Sequence, residues 1–316
     1  MAAPQQVRIL HVHATTLNLG DQALRDALYR VLGTERLSVC EVVNEPLGDH
    51  PCLEGAITGH PLDRHTFARL LDELETADAV VIGGGDLILS DIGHYLLLRA
   101  ARAMDVPVVY AGVGMNPRGG SACVDRWRRR ELPHARTIVA RDADSARRIR
   151  QEGVPGERVI ELPDLAFSFE PGHFDVDPGV ELPERPFVAV SVRAPESGSA
   201  CWGPDAYRAL AEGLDRIVSR HDADVVFLPL LNVARDASRH HTAPTQNDEG
   251  IARLVACGMA HGDRTRIVSE SIDYRQAVAL LRRAELCVGT RLHSMIFATL
   301  AHTPLVGVSY TLKTDA

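Results

Sequence analysis

The chain has 316 residues, 45% apolar and 24% charged, which suits a soluble globular protein of two ordinary domains or one large α/β domain. Its net charge of −8 gives no general attraction to nucleic acid, so an anionic ligand would need a local cluster of cations. No run reaches the roughly 18 to 20 apolar residues of a membrane span, and the polar start before "VRILHVHA" has no signal-peptide pattern, so a cytoplasmic home is expected.

In chain order, short apolar runs alternate with helical patterns. "VRILHVHA" predicts a strand and "DQALRDALYRVLG" a helix, with Gly33 as its stop. "FARLLDELETA" is a helix, "DAVVIGGG" a buried strand ending in glycines, "HYLLLRAARAMD" a helix and "VPVVYAGVG" a strand. "RWRRRELPHA" (helix), "TIVARD" (strand) and "DSARRIRQEG" (helix) complete the first half. The stretch from Phe169 to Pro186 is Pro-rich and aperiodic, the mark of a boundary.

Alternation then restarts: strands at "FVAVSVR", "ADVVFLPLL", "TRIVSE", "ELCVG" and "PLVGVSY". Between them lie helices at "PDAYRALAEGLDRIVSRH", "EGIARLVACGMAHG", "DYRQAVALLRRA" and "RLHSMIFATLAH". Repeated βα units imply parallel sheets with crossover helices. The reading is an α/β protein of two Rossmann-like domains facing a cleft, residues 1–170 and 187–316, joined by a linker at 171–186. Strand-to-helix junctions are where ligands bind in such sheets.

In "GTRLHS", Gly289 ends a strand, Thr290 can cap the next helix, and Arg291 and His293 fall near N1 and N3. Free N–H groups and the positive helix end favour an anion there, and an arginine adds a bidentate fork. The same end disfavours protonation of His293, leaving a neutral imidazole for proton transfer. The plainer reading pairs Arg291 with a surface carboxylate and has His293 cap its own helix.

"HATTLNLGDQAL" places Asn18, Gly20 and Asp21 in the first junction, where Asp21 serves either as a helix cap or, with Asn18, to bind hydroxyls. "VVIGGGDLI" ends a strand with Gly83, Gly84, Gly85 and Asp86, which permits either close approach to a ligand or a tight turn. Arg141 and Arg193 each end a strand and reach either the ligand or solvent. "WRRRE" reads as a solvated face, and the polar segment 232–250 as a long loop or lid.

His11 and His13 share one face of the first strand and His240–His241 lie in the polar loop, but neither pair has a carboxylate or cysteine at ligand spacing, so no metal is expected. The six cysteines form no C-x-x-C pair and read as reduced packing residues. No G-x-G-x-x-G or Walker lysine supports dinucleotide or ATP binding. Of 34 basic residues 33 are Arg, and the single Lys is Lys313.

"NLGDQAL", "VIGGGDLI", "ARDADS" and "GTRLHSMIFATLAHTPLVGVSYTLK" together resemble the polysaccharide pyruvyl transferase family across both halves of the chain. The resemblance implies a GT-B-like fold, phosphoenolpyruvate as donor, no cofactor, and a sugar or glycan acceptor, free or lipid-linked, that becomes a pyruvyl ketal. A lipid-linked acceptor would hold the protein at the inner face of the membrane. Arg291, Leu292 and His293 match the R-L-H donor motif, Arg141 the R-D motif, and Lys313 the lysine of Y-x-x-K. His293 is then the candidate acid and Asp21 the candidate acceptor base, with Asn18, Gly20, Gly84, Gly85, Asp86 and Arg193 as further binding residues. Family members continue past that lysine with a closing helix, whereas this sequence ends three residues on, at Ala316. The alternatives are a GT-B glycosyltransferase using a nucleotide sugar, and a non-catalytic sugar-phosphate-binding protein.

Overall fold

The computed structural model describes residues 6–13, 18–33, 37–43, 57–58, 64–88, 92–115, 121–193, 204–231 and 248–308. The chain divides into two compact units, with the break between Ser168 and Phe169; residues 18–20 group with the second unit.

In the first unit the strands are β1 (Val7–His13), β2 (Leu37–Val43), β3 (Ile57–Thr58), β4 (Ala79–Gly85), β5 (Val108–Val113), β6 (Thr137–Ala140) and β7 (Val159–Glu161). Its helices are α1 (Leu19–Leu32), α2 (Arg64–Leu74), α3 (Ile92–Ala103), α4 (Ala122–Glu131) and α5 (Ala143–Gln151). The strands form one sheet in the order β3-β2-β1-β4-β5-β6-β7, every pair parallel. Strand β4 is buried throughout after Ala79, as expected of a central parallel strand covered on both faces. Leu10, Ile82, Tyr95, Leu97 and Tyr110 anchor the core. β2, β3 and β7 are absent from the sequence reading.

The second unit holds β8 (Phe187–Ser191), α6 (Pro204–His221), β9 (Asp224–Phe227), α7 (Asp248–Gly258), β10 (Thr265–Ile267), α8 (Tyr274–Leu281), β11 (Leu286–Gly289), α9 (Leu292–Leu300) and β12 (Leu305–Gly307). Its sheet runs β10-β9-β8-β11-β12, again all parallel. The Pro-rich stretch is packed against this unit. Phe169 stacks on His173 at 4.3 Å and on Tyr274 at 5.4 Å, and Arg282 of the α8 C-cap reaches Asp175 at 2.6 Å.

Both sheets are doubly wound. The strand order reverses between β1 and β4 in the first unit and between β8 and β11 in the second. Helices flanking such a reversal leave a crevice beyond the strand ends, and ligands of these folds bind there. Among the described residues no helix is long and apolar enough to cross a membrane.

Candidate functional site

In the second unit, the reversal falls at the ends of β8 and β11. Thr290 bridges them: its N–H and hydroxyl donate to Ser191 O at 2.9 and 3.2 Å, and its Oγ1 accepts from Arg193 N at 3.1 Å. Thr290 is thus not the helix cap expected from the sequence. Arg291 is the N-cap of α9, Leu292 its first residue and His293 its second, one place earlier than the spacing suggested. Among the described residues the Arg291 side chain makes no cap bond at the α9 start.

The Arg291 guanidinium closes on Asp248, with Nε and Nη2 each 2.6 Å from a carboxylate oxygen. Asp248 is 1% exposed, and the same carboxylate accepts from Leu230 N and Leu231 N at 3.1 and 2.9 Å. The fork expected to grip a donor anion therefore grips a buried carboxylate, which ties α9, α7 and the segment just after β9 together. Asp248 was missed because the sequence reading places it in the polar loop. Residues 232–247 of that loop, with His240 and His241, lie outside the described residues, and Asp248 opens α7.

His293 is 9% exposed, and its ring lies 6.1 Å from Phe297. A Cβ on Gly20 would overlap the Cβ, Cγ and Nδ1 of His293, so glycine is what admits the imidazole. Residues 18–20 are held here by main chain: Leu19 N donates to Leu230 O at 3.0 Å, and Asn18 bridges Leu231. Asn18 Oδ1 accepts from Gly20 N at 2.9 Å. Asn18, and not Asp21, is thus the residue in the capping position of α1.

The first unit gathers Asp21, Gly84, Gly85, Asp86 and Arg141. The glycine triplet seats α1: added Cβ atoms at Gly83 and Gly84 would run into Leu28 and Leu24, and one at Gly85 would meet Asp21 Oδ1 at 3.4 Å. Gly84 and Gly85 also have φ of +71° and +99°, which only glycine adopts freely. Two of the three glycines therefore serve helix–strand contact, and Gly85 alone borders a polar side chain. Arg141 is 6% exposed by side chain and faces three carboxylates, Asp86 at 2.5 Å and Asp142 and Asp164 at 3.8 Å. Lys313 lies outside the described residues.

The polysaccharide pyruvyl transferase model matches residues 18–311. The chain belongs to that family. No curated protein matches it. Among solved structures it is similar to the UDP-GlcNAc 2-epimerase of Methanocaldococcus jannaschii, at 13% identity over 95% of this chain and 83% of that one, with a TM-score of 0.61. It is also similar to the UDP-N-acetylglucosamine 2-epimerase of Rickettsia bellii (12%, 98% and 86%, 0.57) and to an Anabaena protein solved with UDP-glucose (15%, 96% and 80%, 0.62). At these identities the likeness is one of fold, and it makes the polysaccharide pyruvyl transferase chain GT-B-like.

Proposed function

We propose that this protein transfers the pyruvyl group of phosphoenolpyruvate to two hydroxyls of a sugar residue, forming a ketal and releasing phosphate. The observation that carries the reading is the R-L-H triplet at the strand-order reversal of the second unit, in a chain of this family. In the reaction, one acceptor oxygen attacks the central carbon as the methylene carbon takes a proton. The second oxygen replaces phosphate at the same carbon. The two hydroxyl protons balance those gained by the new methyl group and by the leaving phosphate.

His293 is the group proposed to deliver the proton to carbon, and Asp21 to orient or deprotonate an acceptor hydroxyl. The start of α9 supplies N–H donors for the phosphate or carboxylate of the donor. Preorganised positive potential of this kind is usually the largest catalytic contribution. Arg291 then acts chiefly by fixing that helix start through Asp248, since its charge is largely balanced there. Arg141, Arg193 and Lys313 remain proposed donor or acceptor contacts, together with Asn18, Gly20, Gly84, Gly85 and Asp86.

Phosphate release from phosphoenolpyruvate, screened against a panel of glycosides, tests the reading. Acceptor-dependent phosphate and an acid-labile product heavier by one pyruvyl ketal are expected. Turnover of a uridine-diphosphate sugar, with none of phosphoenolpyruvate, would replace it with the nucleotide-sugar reading.

A further inference from the structure

β1 carries His11 and His13 on one face, two residues apart, and β2 sets Glu41 in register with His11. The two imidazoles stack with centroids 4.9 Å apart, and none of the three residues is more than 2% exposed. Tyr29 of α1 completes the group. Its hydroxyl donates to Glu41 Oε1 at 2.7 Å and lies 2.7 Å from His11 Nδ1.

A phenol has one proton. With that proton on the Glu41 bond, His11 Nδ1 must be the donor to Tyr29. A neutral imidazole protonated at Nδ1 leaves a bare lone pair at Nε2, a buried atom with no hydrogen-bond partner among the described residues. With Glu41 ionised, placing the proton at Nε2 would oblige Tyr29 to donate to Nδ1, leaving the Tyr29 and Glu41 oxygens 2.7 Å apart with no proton between them.

One ring nitrogen from each histidine and a carboxylate oxygen of Glu41 lie within 4.8 Å of one another. We propose that His11, His13 and Glu41 hold a zinc-class divalent cation beneath α1, with Tyr29 as the outer partner that fixes the His11 tautomer. Two imidazoles and a carboxylate are a donor set that suits zinc. Ligand atoms sharing one tetrahedral zinc stand roughly 3.3 Å apart. His13 Nε2 and Glu41 Oε1 are at 3.6 Å, and with all three ligand atoms within 4.8 Å of one another, closing on one ion draws the widest pair in by up to about 1.5 Å. Arg25, whose Nη1 is 3.9 Å from Glu41 Oε1, is the cation that balances this carboxylate and would be displaced outward. Because the site is enclosed, the ion enters as the unit folds and clamps β1 to β2.

The test uses the full chain, unfolded with chelator, freed of metal and refolded with one equivalent of Zn(II) or Co(II). About one equivalent should be retained through gel filtration, with the strong visible absorption of tetrahedral Co(II) and a melting temperature above that of the metal-free protein. His13→Ala and Glu41→Gln should lose both signals. Loss of the Glu41 charge also removes one of two carboxylates beside Arg25 and can block folding, so Tyr29→Phe is the second probe. It keeps all three ligands and should weaken zinc about 10- to 100-fold, the usual effect of an outer partner. A refolded wild type with native circular dichroism and under a tenth of an equivalent of metal overturns the proposal. So does full retention by the ligand variants, which would assign the metal to other residues.

Discussion

Arg291 and Asp248 form a two-point buried pair, Nε and Nη2 each 2.6 Å from a carboxylate oxygen, across 43 residues of sequence. Arg291→Lys keeps the charge but offers one contact where the guanidinium makes two. Breaking such a pair outright costs about 3 to 5 kcal/mol, so the lysine variant should lose part of that. At about 2 to 4 °C per kcal/mol for a unit of this size, a fall of several degrees in melting temperature is expected. A raised Michaelis constant for phosphoenolpyruvate should accompany it as the α9 start loosens. A variant that melts and binds donor like the wild type would remove both roles from Arg291.

Gly20→Ala isolates the position of His293. Alanine is favoured over glycine inside a helix by about 1 kcal/mol, so in the absence of the neighbour it would stabilise α1. Here its methyl group overlaps the root of the His293 side chain. Turnover should fall at least about tenfold, since small misplacements of reacting groups carry large rate penalties. Unchanged rates would mean that the imidazole needs no such seat.

His293→Asn should leave donor binding nearly intact and lower turnover by about 10² to 10⁴, the usual contribution of a positioned acid. Steady-state rates beside calorimetric titration of phosphoenolpyruvate separate the roles. Poor donor binding with normal turnover at saturation would make His293 a binding residue.

Cysteine labelling tests the interior of the second unit. Burial pushes the Cys287 thiol up to about 12, whereas Cys123 and Cys257 are exposed. At pH 8 a thiol of that kind is about 10⁻⁴ thiolate, and the thiolate is the nucleophile. Iodoacetamide should modify Cys123 and Cys257 in the native protein and reach Cys287 only after unfolding. Native labelling of Cys287, read by mass spectrometry, would show that β11 opens far more readily than its packing implies.

The doubly wound halves were legible because their central strands are continuous apolar runs, as at "AVVIG" and "FVAVS". β2 was not. "LSVCEVV" places Glu41 inside the strand, and a buried carboxylate breaks the apolar signal until Tyr29 and Arg25 are seen to balance it. That omission also hid the partner of His11 and His13, so the sequence argument against a metal lacked one of the residues it needed. β7 is three residues long with two of them exposed, too short to carry a pattern. At the candidate site, R-L-H was placed to within one residue, but its ion pair was not, because nothing local to Arg291 points to Asp248.

The seat of α1 on β4 has a consequence for protein engineering. The gap there is closed by main chain, since Leu24 and Leu28 occupy the space where side chains at Gly84 and Gly83 would stand. A methyl group at Gly84 would overlap the Leu24 Cβ, which is fixed to the helix, whereas one at Gly83 would press on the end of the Leu28 side chain. Tyr29 and Asp21 ride on that same rod, one over the His11 cluster and one beside Gly85. A designer who moves α1 to another scaffold must therefore carry the glycine strand with it, because helix and strand form one portable part.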